Sequence, residues 1–330
     1  MILRLLSGLG LLLLATGGAQ AASFDCKKAT TPFEVAICTN PELSRADEVL
    51  AVSYATALGG LTKPAAAEVQ KGQRAWLDYA QKSCTDDAKL PTAKYPDDEM
   101  NCLISQVGNR GRLLEQSRMW GGLRVYTVEA YGVIPDTTAD PDAWNKVATR
   151  EVSVPRVDGT SDEAKAFNAF IAAEGPKLEG EMEETSDVSI RASIEDVTAS
   201  RISVSINNWW YGHGAAHGNY DISYLHFMRA ENRTLEASDV FDKPGWEEKL
   251  GELALAKLDE TIEGGIWEES RDDAPKVAAD PSRWNFSDEG LVIQYQPYEV
   301  TAYAAGAPTV TIPWAQLTDY LAEGAKYGGI

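Results

Sequence analysis

Four cysteines set the terms for this chain. Cys26, Cys38, Cys84 and Cys102 crowd into one early stretch, and the rest of the 330 residues holds none. An even number in so short a segment reads as a disulfide framework built in an oxidising compartment. No pair has the C-x-x-C spacing of a zinc site, so no metal is expected. Four cysteines allow three pairings. Cys84–Cys102 would bridge the ends of two successive helices, which leaves Cys26–Cys38 to tie the N-terminal arm to the first helical turn.

The first 21 residues agree with export. Arg4 supplies a positive charge, Leu5 to Ala15 is an apolar run broken only by Ser7, Gly8 and Gly10, and Ala19-Gln20-Ala21 presents small residues to a signal peptidase. A cut after Ala21 and a periplasmic or secreted mature protein are predicted. The apolar run is short for a membrane span of roughly 20 residues, and no second run follows. No membrane association is expected after cleavage.

The region 22–120 reads as helical. Thr31-Pro32-Phe33-Glu34 is a capping box with proline at the first helical position, and Asn40-Pro41 starts a second helix. Leu43, Leu50, Tyr54 and Leu58 share one face. Val69, Trp76 and Ala80 mark another helix, and Leu103, Val107 and Leu114 a further one. The polar stretch 85–98 between them reads as a loop closed at its base by Cys84–Cys102. A small antiparallel bundle with a modest core, stapled by its disulfides, is the prediction.

Gly121-Gly122 reads as a hinge, and the period changes beyond it. Ile190, Ala192 and Ile194 alternate with polar residues, as do Ile202, Val204 and Ile206, which suggests a hairpin turning near Ala199-Ser200. Residues 125–128, 220–228, 291–295 and 310–312 read as further strands. Helices are expected near 161–174, along the stripe Trp246, Leu250, Leu253, Ala254, Leu258, and from Trp314. The fold class is therefore a small helical bundle followed, over 123–330, by an α+β domain: a mostly antiparallel sheet with helices on one face.

Charge divides along the same line. The net charge is −20, and residues 121–330 carry 17 basic against 37 acidic residues. That half repels nucleic acid and anionic membranes and steers cationic partners inward.

The run FDCKKATTPFEVAICTNPELSRADEVLAVSYATAL, then QRAWLDYAQKSC, then CLISQVGNRGRLLE, resembles the LprI-type lysozyme-inhibitor domain over about 24–116. Arg110 belongs to that signature, whose positions are expected to serve as cap, core, staple or an ion pair inside the bundle. YGHGAAHGNY, RTLEASDVF and WNFSDEGLVIQYQPYEVTAYAAGAPTVTIPWAQL resemble the RsiV-like domain over about 123–322. That domain occurs in lysozyme-sensing anti-sigma factors and beside some peptidoglycan deacetylases. Both resemblances imply a link to lysozyme.

No catalytic motif is readable. His213 and His217 are four apart, but Gly212, Gly214 and Gly218 make their segment a loop and not a metal-binding helix. No Ser/His/Asp arrangement, phosphate loop or cofactor fingerprint appears, so a binding protein without cofactor is expected rather than an enzyme. Candidate contact residues are Tyr211, His213, His217, Tyr298 and Tyr303, on two loops rich in aromatics. Strand alternation puts Trp209 and Tyr211 on one face and Trp210 on the other, so one of the two tryptophans is expected in the core. The function expected is capture of lysozyme or another cationic muramidase, with loop 211–218 or 297–306 inserted in its cleft. The alternative is a module that binds or matures cell-wall glycan, with peptidoglycan as its partner.

Overall fold

The computed structural model describes residues 22–85, 94–140, 146–323 and 325. The expected leader and its cut lie outside the described residues, as do 86–93 of the expected polar loop.

Four helices come first: α1 (Pro32–Thr39), α2 (Pro41–Leu58), α3 (Lys63–Cys84) and α4 (Asp97–Leu114). The start signals act as their chemistry predicts. The Thr31 hydroxyl accepts from Glu34 N–H, and the Glu34 carboxylate accepts in return from Thr31 N–H. Asn40 Oδ1 accepts from the amides of Glu42 and Leu43. The stripes converge on one core in which Leu43, Leu50, Val69, Trp76, Leu103, Val107 and Leu114 are buried. Both expected disulfides form, Cys26–Cys38 and Cys84–Cys102.

The strands are β1 (Met119–Trp120), β2 (Leu123–Pro135), β3 (Val147–Val157), β4 (Ser186–Val197), β5 (Arg201–Gly212), β6 (Asn219–Met228), β7 (Arg233–Thr234), β8 (Trp284–Phe286), β9 (Gly290–Gln294) and β10 (Thr309–Pro313). Interspersed are α5 (Asp162–Glu174), α6 (Ala237–Val240), α7 (Trp246–Thr261), α8 (Ala274–Ala278) and α9 (Trp314–Leu317). The first seven strands form one sheet in chain order, and β8–β10 form a second, antiparallel one. Every pairing in the larger sheet is antiparallel except β3 with β4, which are joined through α5. One parallel pair needs one crossover helix, and α5 is that helix.

Gly121-Gly122 is not a hinge. Trp120 pairs with Leu123, so the two glycines are the two-residue turn of the β1–β2 hairpin. Both have positive φ, as a type I′ turn requires.

The large sheet is covered on both sides. On one face α5 packs Phe167 and Ile171 over Val152, Val154, Ala192, Ile194, Ile202, Val204 and Phe227. Burying one such side chain is worth roughly 1.5–3 kcal/mol. On the other face the helical bundle sits against β2 and β3, with Tyr126, Tyr131 and Val133 packed on its core. The same side carries the smaller sheet near β6. There Trp284, Leu291, Ile293 and Tyr295 share a core with Leu250, Ala254 and Leu258 of α7.

His226 of β6 is at that second seam. Its Nε2 lies 2.9 Å from the Trp284 carbonyl, which can only accept, so Nε2 carries the proton and Nδ1 accepts from Ser203 Oγ at 3.0 Å. Burial, and then the nearby Arg201 guanidinium, push the His226 pKa down to about 3.

Candidate functional site

Two loops meet at one end of the large sheet. The first, following β5, turns at Gly214, whose φ is +82°. The second follows β9. It is drawn to the sheet by Gln296, whose side-chain amide accepts from Ile222 N–H at 2.8 Å and donates to Ile222 C=O at 2.6 Å. Gln296 thus supplies both hydrogen bonds that a neighbouring strand would give β6 at this point. Glu299 fixes the base of the loop, accepting from the Gln296 amide at 2.7 Å and from Arg283.

The loops brace each other through Gly218. Its carbonyl accepts from Tyr303 Oη at 2.8 Å and from His217 Nδ1 at 2.8 Å. With Nδ1 donating, His217 Nε2 is left to accept from Tyr298 Oη at 3.3 Å. The His217 ring stacks on Tyr303 at 4.2 Å between centroids, and Tyr298 lies 5.3 Å from Tyr303. Trp209 completes the face. A Cβ on Gly218 would meet the Trp209 indole at 2.8 Å, so the indole lies directly on the glycine. Tyr211 stacks beside Trp209, 6.4 Å away.

Tyr298 has a φ of +65°, one of two non-glycine residues in the left-handed region among those described. A bulky residue held there is uncommon, and such strain clusters at functional sites. The conformation turns its ring outward, 48% exposed.

The sequence candidates therefore divide. His217, Tyr298 and Tyr303 form one stacked group, and Tyr211 flanks it through Trp209. His213 turns inward instead. Its Nδ1 is 2.6 Å from Asp136 Oδ2 and its Nε2 is 3.5 Å from Asp187 Oδ2, with the side chain almost wholly enclosed. The hydrogen bond from His213, followed by that from Thr138, holds Asp136 down to about 2. Asp187 in turn accepts from the backbone and hydroxyl of Thr149. This cluster ties the base of the glycine loop to β2, β3 and β4. Neither aspartate carries a local sequence signal, because both reach His213 only through the sheet register. Trp209 and Trp210 are each 37% exposed, so neither is the core residue that alternation led one to expect. Among the described residues no group of three or more His, Cys, Asp or Glu side chains could hold a metal ion.

The helical bundle carries a second surface feature. An open groove of about 830 Å³ runs between α2 and α4, lined by Glu42, Ala46, Val49, Ile104, Gly108 and Arg112 among others. Val49 is 61% exposed and Val52, one turn on, is 65% exposed.

Residues 26–114 match the family model described as Lysozyme inhibitor LprI. Residues 238–315 match the one described as Protein of unknown function (DUF3298), which lies within the longer RsiV-like resemblance. Among solved structures, a member of the DUF3298 family from Bacteroides fragilis is 18% identical. It covers 64% of this chain and 98% of its own, with a TM-score of 0.49. A DUF3298 family protein from Pseudomonas aeruginosa is 12% identical over the same shares, with a TM-score of 0.43. No curated protein matches the chain.

Proposed function

We propose that this is an exported binding protein that inhibits lysozyme or a related cationic muramidase, without chemistry of its own. The observation that carries the reading is the match of residues 26–114 to the lysozyme-inhibitor family, over the four helices and both disulfides. The RsiV-like reading of 123–322 and the oxidising compartment implied by the disulfides support it. No described helix is long and apolar enough to cross a membrane.

The α2–α4 groove is the enzyme contact in this proposal, because it lies in the matched region and exposes Val49, with Val52 exposed one turn further along α2. The acidic sheet-bearing half raises the rate of encounter with a basic enzyme. Loops 211–218 and 297–306 are stapled to each other through Gly218, so insertion in a catalytic cleft would take both as one braced unit. The test is lysis of a cell-wall suspension by a c-type lysozyme. The protein slows lysis with a salt-sensitive on-rate, and the Val49→Asp/Val52→Asp variant does not. Unimpeded lysis with the wild-type protein would end the reading.

A further inference from the structure

The braced aromatic face lies on the sheet-bearing half, apart from the α2–α4 groove. We infer that Trp209, His217 and Tyr298 form a platform for a neutral pyranose oligosaccharide. The inference does not rest on the lysozyme reading.

Three observations carry it. First, the rings are fixed before any ligand arrives. Trp209 lies on Gly218, His217 is stacked on Tyr303, and Tyr298 is held by its backbone and by His217. A platform fixed in advance loses little conformational entropy on binding. Second, the rings combine flat faces with polar edges. Aromatic faces carry negative π density, which suits the weakly positive C–H face of a sugar ring. Tyr298 Oη, which can still accept, and the exposed Asn207 amide supply neutral hydrogen-bonding groups beside them for hydroxyls.

Third, charge narrows the choice of occupant. Four carboxylates that adjoin the two loops are each bonded within the fold. Asp136 holds His213 and Thr138, Asp187 holds Thr149, Asp221 holds Asn208, and Glu299 holds Arg283. These bonds do not remove the carboxylates' negative charge, so a cationic side chain is the competing occupant of the rings. An anionic ligand, or a second copy of this chain, would meet the field of a protein of net charge −20. A neutral sugar chain avoids that penalty, and the test separates it from a cationic protein.

The experiment titrates chitotetraose, a neutral β-linked oligosaccharide, into the full mature chain by calorimetry. Saturable binding is expected. Trp209→Ala and Tyr298→Ala each weaken it about tenfold or more, as loss of a central aromatic contact does. Trp210→Ala is the matched control: equally exposed, on the opposite face of β5, it leaves binding unchanged. Thermal unfolding of each variant separates lost contact from lost fold. Tyr298→Gly adds a second check, since glycine accepts the positive φ and keeps the loop while removing the ring. Absence of saturable binding, or equal losses in the Trp209 and Trp210 variants, would overturn the inference. So would a chain that binds no sugar but loses lysozyme binding on Trp209→Ala, which would give the face to a cationic protein. Sugar binding with unimpeded lysozyme would sink only the proposed inhibition.

Discussion

Nη1 of Arg110 lies 2.9 Å from Oε1 of Glu129, and both side chains are sealed from solvent. Arg110 is on α4 and Glu129 on β2, so the ion pair joins the bundle to the sheet and does not lie within the bundle. Arg110 Nε also donates to Gln73 Oε1 at 2.9 Å, and Nη1 to Tyr131 Oη at 3.1 Å. The guanidinium sits over the Trp76 ring. Burial pushes the Glu129 carboxyl up, against the pull of Arg110. Breaking one partner leaves the other charged and dry.

Removal of either charge is therefore expected to cost about 3–5 kcal/mol. Arg110→Met and Glu129→Leu should each show this in urea unfolding. The double variant should recover much of the loss, because it leaves no unpaired buried charge. Additive losses would mean that the two groups do not act as a pair.

Gly72 of α3 is held small by the same pair. A Cβ there would come within 2.1 Å of Glu129 Oε2. That carboxylate cannot swing aside, since Arg110 holds it. Gly72→Ala should gain helix propensity yet destabilise by about 1–3 kcal/mol through overpacking. In the Arg110→Met/Glu129→Leu background the cost depends on how the shorter side chain at 129 repacks, and it should shrink. A stabilised Gly72→Ala single variant would contradict the contact.

Gln296 offers a local test of how the aromatic face is assembled. Replacement by Ala removes both bonds to Ile222 and exposes one edge of β6. A loss of about 1–3 kcal/mol is expected. Hydrogen exchange at the Ile222 amide should quicken markedly, while amides in α2 and α4 keep their protection. Uniform loss of protection would point to global unfolding instead.

The elements with short-range signals were legible in the sequence. Thr31/Glu34 and Asn40 mark helix starts through bonds within four residues, and the disulfide pairing follows from where the helices end. Strand β3 was not legible. Its run VATREVSVPRV contains charges and Pro155, which argues against a central strand. The structure tolerates Pro155 because β4 pairs only with Arg150–Ser153, leaving the proline past the end of that ladder. The pairing of Arg110 with β2 was not legible either, because its partner, Glu129, lies on another element and carries no local pattern. Of the aromatic face, the rings were visible in the sequence. Their bracing through Gly218 and Gln296, and the inward turn of His213 to Asp136 and Asp187, depend on register and were not.

The two buried acid-sensitive groups make a pH prediction with a definite sign. His226 is neutral in the fold, with a pKa of about 3 against an ordinary value of 6.5. The unfolded chain takes up a proton below 6.5 that the folded chain refuses. The stability tied to this residue is thus fully present above pH 6.5 and falls as pH drops toward 3, by up to about 1.4 kcal/mol per pH unit. Asp136 acts in a lower window. Its folded pKa of about 2 lies below its ordinary 3.8, so the stability it brings is present above 3.8 and is lost as pH falls toward 2. Urea midpoints between pH 8 and 2 should therefore decline in two stages. Swapping His226 for Gln should flatten the upper stage at the expense of overall stability, because the amide does not titrate. Asp136→Asn should flatten only the lower one. An upper stage that persists unchanged without His226 would assign it to other groups and refute the neutral, proton-refusing histidine at the seam between the two sheets.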